Sequence, residues 1–181
     1  EHPRLNRKMR NLIALLALSF LLVGCSTYHG VPNYSKVRPK IGRGGQPDHA
    51  GWLTLKEDGY DVVIKLNGGD GDAEAEKLGM QVIHLPISFW EQIIAMPSTN
   101  TTAQAVYEIE KAIWQGHKVY VHCKNGWDRT GLIIGLYELD NGVPAEEVYA
   151  EMRALGFHPS LLGLLRAWHQ AQLAYQHPKQ E

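Results

Sequence analysis

The stretch VYVHCKNGWDRTG, residues 119–131, carries a thiol and a guanidinium at a spacing that suits phosphate chemistry. Its apolar, β-branched beginning predicts a buried strand that ends at His122, directly before Cys123. Five residues separate Cys123 from Arg129, and an apolar stretch after Arg129 predicts a helix. The order strand, loop, helix therefore places both groups on one loop at the start of a helix.

Such a loop is suited to binding an anion. The free backbone N–H groups and the dipole of the helix attract negative charge, and the same field favours the thiolate form of Cys123. Arg129 can bind two phosphate oxygens with its fork. Thr130 can hydrogen-bond the sulfur, and His122 can hold the loop through its ring. The predicted phosphate-binding residues are Lys124, Asn125, Gly126, Trp127, Asp128 and Arg129.

The segment HCKNGWDRTG resembles the signature loop H-C-x5-R-[S/T] of the cysteine-dependent tyrosine and dual-specificity phosphatase superfamily. The resemblance extends less tightly over about residues 37–175, where GRGGQP at 42–47 is similar to the opening of small bacterial members. It implies that Cys123 is a nucleophile that forms a phosphocysteine and that Arg129 clamps the transition state. It also implies that neither a metal nor another cofactor is needed.

The group that protonates the leaving oxygen is less clear from the sequence. In most of the superfamily an Asp on a mobile loop, about thirty residues before the cysteine, does this work. Residues 85–102 contain no Asp, and their one carboxylate is Glu91. The missing Asp leaves open a catalytically inactive, phosphate-binding module as an alternative to the enzyme.

A second candidate acid lies inside the loop. The sequence GWDRT at 126–130 is similar to the loop of myotubularin-type phosphoinositide phosphatases, in which the Asp before the arginine is a proposed acid. That resemblance favours Asp128, with a purely structural pairing as the alternative. Asp70 and Asp72 are further alternatives, and their turn-rich loop predicts that both are solvated.

The same loop bears on the substrate. Trp127 is predicted either to wall the mouth of the site or to pack on a neighbouring loop, and Lys124 either faces solvent or meets a second phosphate. The superfamily's common substrates are phosphotyrosine and other phosphorylated residues of proteins, which makes them the leading class. The GWDRT motif and Lys124 favour a phosphoinositide or inositol phosphate as the alternative.

The N-terminus has the pattern of an export signal. A positive region of Arg7, Lys8 and Arg10 precedes an apolar run over 12–22, which is followed by LVGC at 22–25. This resembles the lipobox of bacterial lipoproteins and implies that residues 1–24 are removed and that Cys25 carries a lipid. A cleaved signal with an incidental cysteine and an uncleaved anchor helix are the alternatives. The predicted location is a bacterial membrane, facing the periplasm, and Ser26 favours the outer membrane.

The elements around the loop define the fold class. The chain has 181 residues and a net charge of −1, so one domain is expected and the overall charge gives no signal for nucleic acid. Helical periods alternate with short apolar strands, which predicts an α/β fold with a mainly parallel, twisted sheet of about four to five strands flanked by helices. We expect a tether over 25–39, the domain over 40–176 and a tail over 177–181, with residues 87–100 irregular.

Overall fold

The computed structural model describes residues 28–176. The predicted signal over 1–24, the predicted lipidation site Cys25 and the predicted tail over 177–181 lie outside these residues. Within 28–176, no helix is both long enough and apolar enough to cross a membrane.

Five strands and seven helices make up the described part of the chain. They are, in order, β1 (Ser35–Arg38), β2 (Ile41–Gly44), α1 (His49–Glu57), β3 (Tyr60–Lys65), α2 (Ala73–Lys77), β4 (Gln81–His84), α3 (Phe89–Ile93), α4 (Thr99–Trp114), β5 (Lys118–His122), α5 (Asp128–Asp140), α6 (Ala145–Ala154) and α7 (Leu162–Gln176).

The strands form one sheet in the order β1-β2-β5-β3-β4. The first strand is antiparallel to β2, and the other four strands are parallel. Parallel neighbours need crossover connections, which the helices supply. The predicted mainly parallel α/β sheet is confirmed, and the carboxyl ends of β2, β3, β4 and β5 meet at one edge.

The central strand β5 contributes to a core on each face of the sheet. Val119 and Val121 point into the larger cluster, whose helical residues come from α4 to α7. Tyr120, between them, belongs to the smaller cluster with Trp52 and Leu55 of α1. Successive side chains of a strand point to opposite faces, so a strand covered by helices on both sides is apolar throughout.

The domain begins earlier than the sequence predicted. Residues 28–38 fall in the expected tether, yet Val31 is fully buried and β1 pairs with β2. The backbone N–H of Gly45 donates to Pro32 O at 2.7 Å. Glycine, proline and asparagine are common in loops, which is why this segment was predicted as a tether. Its backbone instead forms the edge strand of the sheet and contacts the turn that follows β2.

Residues 87–100 are also more regular than predicted. They contain α3, whose first turn has a capping box: the Ser88 side chain accepts from the Glu91 N–H, and the Glu91 carboxylate accepts from the Ser88 N–H. None of the five residues of α3 is buried, and so short a helix gives no apolar period from which it could be predicted. Its capping residues and its packing against α7 define it instead.

Candidate active site

The loop between β5 and α5 spans residues 123–127, where the sequence predicted it. It follows the central strand and precedes a helix of 13 residues. The first backbone N–H groups of that helix have no partner within the helix, so they are available to an anion. The predicted strand–loop–helix arrangement is therefore present, at the edge of the sheet where the parallel strands end.

Gly126 allows this loop to lie directly on the end of β2. Its φ is +79°, and a Cβ added there would lie 2.2 Å from the carbonyl carbon of Gly44. Only glycine tolerates both the left-handed conformation and the close approach. The carbonyl of Lys124 accepts from the Gln46 N–H at 3.1 Å, and the carbonyl of Asn125 accepts from Asn33 Nδ2 at 2.8 Å. Hydrogen bonds from the N-terminal quarter of the chain thus hold the loop on both sides of its bend.

Arg43 lies beneath the loop, and sequence reasoning missed it. Its Nη2 donates to the carbonyl of Gly126 at 2.8 Å and approaches that of Trp127 at 3.3 Å. The side chain is 1% exposed and has no carboxylate partner among residues 28–176. Burial lowers the pKa of Arg43 to about 10, so the group remains a cation at neutral pH. A basic residue inside a buried strand is unusual, and that was the available signal.

Cys123 and Thr130 lie at the base of the site. Cys123 is 5% exposed and is a free thiol. Thr130, in the first turn of α5, is fully buried, and its Oγ1 has no hydrogen-bond partner among the described residues. A buried hydroxyl without a partner is costly. The predicted hydrogen bond from Thr130 to the sulfur of Cys123 is therefore not formed in this structure.

His122 is held from behind by a buried ion cluster. Its Nδ1 lies 3.3 Å from the carbonyl of Cys123 and its Nε2 lies 3.2 Å from Asp72 Oδ1. Asp72 also pairs with Lys65 and accepts from Gln46 Nε2 at 2.8 Å. Burial by itself would raise the pKa of Asp72, but the contacts with His122, Lys65 and Gln46 outweigh it and hold that pKa below its usual range.

The prediction that Asp72 is solvated is therefore wrong. Asp72 is 3% exposed, whereas Asp70, two residues earlier in the same loop, is exposed as predicted. The carboxyl ends of β3 and β5 bring Lys65 and His122 to this loop. The available signal was Lys65 itself, a charged residue within the β-branched run of β3, which needs a buried partner.

Arg129 is bound by a residue of α3. Its Nε donates to Gln92 Oε1 at 2.8 Å. The neighbouring Glu91 does not reach the arginine by a hydrogen bond, because its carboxylate accepts from the backbone N–H of Ser88 at 2.7 Å. Hydrogen bonds from Ser88 lower the pKa of Glu91. The segment over 85–102, in which an acid was expected, thus contributes the Gln92 amide to Arg129. Its one carboxylate, that of Glu91, caps its own helix.

Asp128 and Trp127 both contact the loop between α6 and α7. Asp128 Oδ1 accepts from the His158 N–H at 2.8 Å and from His158 Nδ1 at 2.9 Å. The Trp127 ring lies 5.7 Å from the His158 ring, and a Cβ added to Gly156 would come within 2.9 Å of Trp127. Trp127 therefore packs on the neighbouring loop, one of the two predicted placements. Sequence reasoning missed His158, because no motif around this histidine connects it to the phosphate loop.

The remaining loop residues face outward. Lys124 and Asn125 are exposed, so a substrate that lies over the loop would meet their side chains. Among residues 28–176, no group of three His, Cys, Asp or Glu side chains is arranged to hold a metal ion. The loop and the first turn of α5 thus carry a buried thiol, a guanidinium and backbone N–H groups without a partner within the helix. These are the groups that an attack on a phosphate ester needs.

Solved structures of phosphatases share this fold. Tk-PTP in its active form has a TM-score of 0.63 at 20% identity, over 77% of this chain and 97% of that one. PTPMT1 has a TM-score of 0.63 at 22% identity, over 79% and 98%. TpbA of P. aeruginosa has a TM-score of 0.60 at 19% identity, over 80% and 91%. A comparison with curated protein sequences gives no match.

A sequence family matches more than half of the chain. It is described as "Tc-R-P: Polymorphic toxin system, DSP-PTPase phosphatase", and it matches residues 40–143. These residues run from just before β2 to just after α5 and include both Arg43 and the whole phosphate loop. The chain therefore belongs to the DSP-PTPase phosphatase family, and it is a cysteine-dependent phosphatase of the tyrosine and dual-specificity type.

Proposed function

We propose that this phosphatase acts on phosphorylated proteins, with phosphotyrosine as the leading substrate. The observation that carries the proposal is the depth of the thiol: Cys123 is 5% exposed at the base of a loop that also carries Arg129. A substrate must extend its phosphate down to the sulfur. The long, slender side chain of phosphotyrosine does so more easily than the short side chain of phosphoserine.

In the mechanism we propose, the thiolate of Cys123 attacks phosphorus, and the bond to the leaving oxygen breaks as the sulfur–phosphorus bond forms. Arg129 and the backbone N–H groups of the loop neutralise the charge that builds on the phosphoryl oxygens. The unpartnered hydroxyl of Thr130 stabilises the thiolate when it departs. Water then attacks the phosphocysteine, which releases inorganic phosphate and the free enzyme.

The surface next to the site supports a peptide substrate. Phe89 and Trp90 are 59% and 66% exposed, and they belong to α3, whose Gln92 contacts Arg129. Large exposed aromatic side chains are favourable contacts for a partner chain. In this proposal, Phe89 and Trp90 contact the residues that flank a phosphotyrosine in a peptide.

A phosphoinositide or inositol phosphate is the second candidate. The motif GWDRT and the exposed side chain of Lys124 support it, because a lysine above the loop suits a second phosphate. Solved structures of both kinds of complex exist among proteins of this fold, PTPMT1 with PI(5)P and TpbA with pTyr. They describe those two proteins and leave both candidates open for this one.

A substrate panel tests the proposal. The full chain is assayed on a phosphotyrosyl peptide, a phosphoseryl peptide, an aryl phosphate and a set of phosphoinositides, with Cys123→Ser as the control. We expect the highest kcat/KM on the phosphotyrosyl peptide and no turnover by Cys123→Ser. Faster turnover of a phosphoinositide would replace the first candidate with the second. Absence of turnover on every substrate would favour an inactive phosphate-binding module.

We also propose that the protein is exported and is anchored to a bacterial membrane by a lipid on Cys25. The support is the apolar run over 12–22 followed by LVGC. In this proposal the lipid on Cys25 holds the domain at the membrane. Cys25→Ala should move the protein from the membrane fraction to the soluble fraction. Membrane association that persists in Cys25→Ala would contradict lipidation.

A further inference from the structure

The carboxylate that precedes Arg129 receives two hydrogen bonds from one residue of a neighbouring loop. The backbone N–H of His158 lies 2.8 Å from Asp128 Oδ1, and the ring Nδ1 lies 2.9 Å from the same oxygen. The imidazole is 52% exposed, whereas the Asp128 side chain is 14% exposed. The structure thus holds an accessible imidazole beside the phosphate loop, in an orientation that a carboxylate sets.

We propose that His158, positioned by Asp128, donates the proton to the leaving group, an inference that rests on the proposed hydrolysis of phosphomonoesters. The imidazolium gives its Nε2 proton to the leaving oxygen as the phosphorus–oxygen bond breaks and the bond to Cys123 Sγ forms. The neutral imidazole then takes a proton from water as the water oxygen attacks phosphorus. The sulfur departs as thiolate, inorganic phosphate is released, and His158 is again an imidazolium.

The two carboxylates predicted from the sequence are less suited to this work. Glu91 is engaged in the capping box of α3, and the hydrogen bonds from Ser88 lower its pKa. Asp128 accepts two hydrogen bonds from His158 on one oxygen, so the neighbouring loop already engages this carboxylate. An efficient general acid titrates near the working pH, and histidine is the residue type that ordinarily does so.

The ring nitrogen that would carry the transferred proton is free. Nδ1 is engaged by Asp128, and no described residue forms a hydrogen bond with Nε2 of His158. In acid–base catalysis, a carboxylate often binds one ring nitrogen of a histidine and so fixes its tautomer and orientation. The other ring nitrogen is then available for proton transfer.

The surroundings hold His158 in this position. The ring of Trp127 packs on it at 5.7 Å between ring centroids. Asp128 is the charged group that the ring contacts. Two cations lie further out: Arg129 follows Asp128 in the chain, and Arg153 donates to the carbonyl of Phe157, next to His158.

The experiment uses leaving groups that differ in their need for a proton. Nitrophenolate leaves without one, whereas phenolate and alkoxides require one. In the full chain, His158→Asn removes the acid but keeps an amide nitrogen that can take the place of Nδ1 at Asp128. We expect kcat/KM on phenyl phosphate to fall about 100-fold and on nitrophenyl phosphate to change less than about threefold. The decline of the phenyl phosphate rate at high pH should disappear as well.

His84→Asn is the matched control, because His84 is also exposed and lies at the carboxyl end of β4. It should leave both rates unchanged. Equal losses of His158→Asn on both substrates, or no loss, would overturn the inference alone. So would a selective loss that occurs in Asp128→Asn but not in His158→Asn. Absence of Cys123-dependent turnover in the wild type would overturn the proposed function, and the inference with it.

Discussion

The guanidinium of Arg43 donates to the backbone carbonyl of Gly126 at 2.8 Å, and this contact joins β2 to the phosphate loop that follows β5. Arg43 and Val121 are paired in the parallel ladder of these two strands, so the sheet register determines where the guanidinium lies. This buried cation beneath the loop adds positive charge near Cys123. The loop is thus supported from below by a strand more than eighty residues away in the chain.

Arg43→Lys should keep the charge but lose the fork that reaches the loop carbonyl. A hydrogen bond from a charged group contributes about 2 kcal/mol, which corresponds to about 30-fold in rate. We therefore expect kcat/KM on an aryl phosphate to fall about 30-fold. Arg38→Lys is the control, because Arg38 pairs with Glu138 near the opposite end of the sheet. Equal activity of the two variants would contradict a role for Arg43.

Gly126→Ala should displace the phosphate loop. The added Cβ would lie 2.2 Å from the Gly44 carbonyl carbon, and φ at this position is +79°. A shift of about 1 Å in a catalytic loop can cost 100-fold in rate, so we expect kcat/KM to fall at least that much. Gly68→Ala is the control, because its added Cβ meets no atom within 4 Å. Wild-type kinetics of Gly126→Ala would show that the loop adapts.

Gln92→Glu should weaken the binding of phosphate. Gln92 Oε1 accepts from Arg129 Nε at 2.8 Å, and a carboxylate there would compete with the phosphate dianion for the guanidinium. We expect the inhibition constant of inorganic phosphate to rise about tenfold, which corresponds to about 1.4 kcal/mol.

The neighbouring variant Glu91→Gln gives a matched comparison. It weakens the capping box of α3, so we expect a loss of up to about 1 kcal/mol in stability, with phosphate affinity unchanged. Phosphate inhibition that is equal in Gln92→Glu and the wild type would contradict competition at Arg129. A selective loss of Glu91→Gln on phenyl phosphate would instead identify Glu91 as the acid.

Asp72 should contribute to stability in a pH-dependent way. The pKa of Asp72 lies below its usual range in the folded state, so its contribution is complete above about pH 4, the ordinary value in an unfolded chain. The contribution is lost as the pH falls from there through the folded value. Because removing one partner of a buried pair costs about 3 kcal/mol, Asp72→Asn should unfold that much more easily at pH 7.

Denaturant unfolding at several pH values measures this effect. The difference in the free energy of unfolding between the wild type and Asp72→Asn should shrink as the pH falls below about 4. Asp70→Asn, in the same loop but exposed, should match the wild type throughout. A difference that stays constant down to acid pH would show that Asp72 stabilises the protein without being ionised.

The fold was predictable wherever burial produces a local period. The alternation of apolar strands and helical segments indicated the parallel sheet, because a sheet covered on both faces needs continuous apolar strands. Residues 28–38 and α3 were not predictable in this way. Their places depend on pairing with β2 and on a capping box, and neither leaves an apolar period in the sequence.

The sequence by itself determined the reacting groups. Cys123, Arg129 and Gly126 are neighbours in the chain, so the local order of strand, tight loop and helix is enough to place them on one loop. Tertiary structure alone decided what surrounds them. Gln92 is 37 residues from the arginine that it contacts, and His158 is 30 residues from Asp128. Local sequence patterns indicate which residues are buried and with what period. The contacts of Gln92 and His158 depend instead on how strands align and helices pack. These contacts determine which groups surround Arg129 and Asp128.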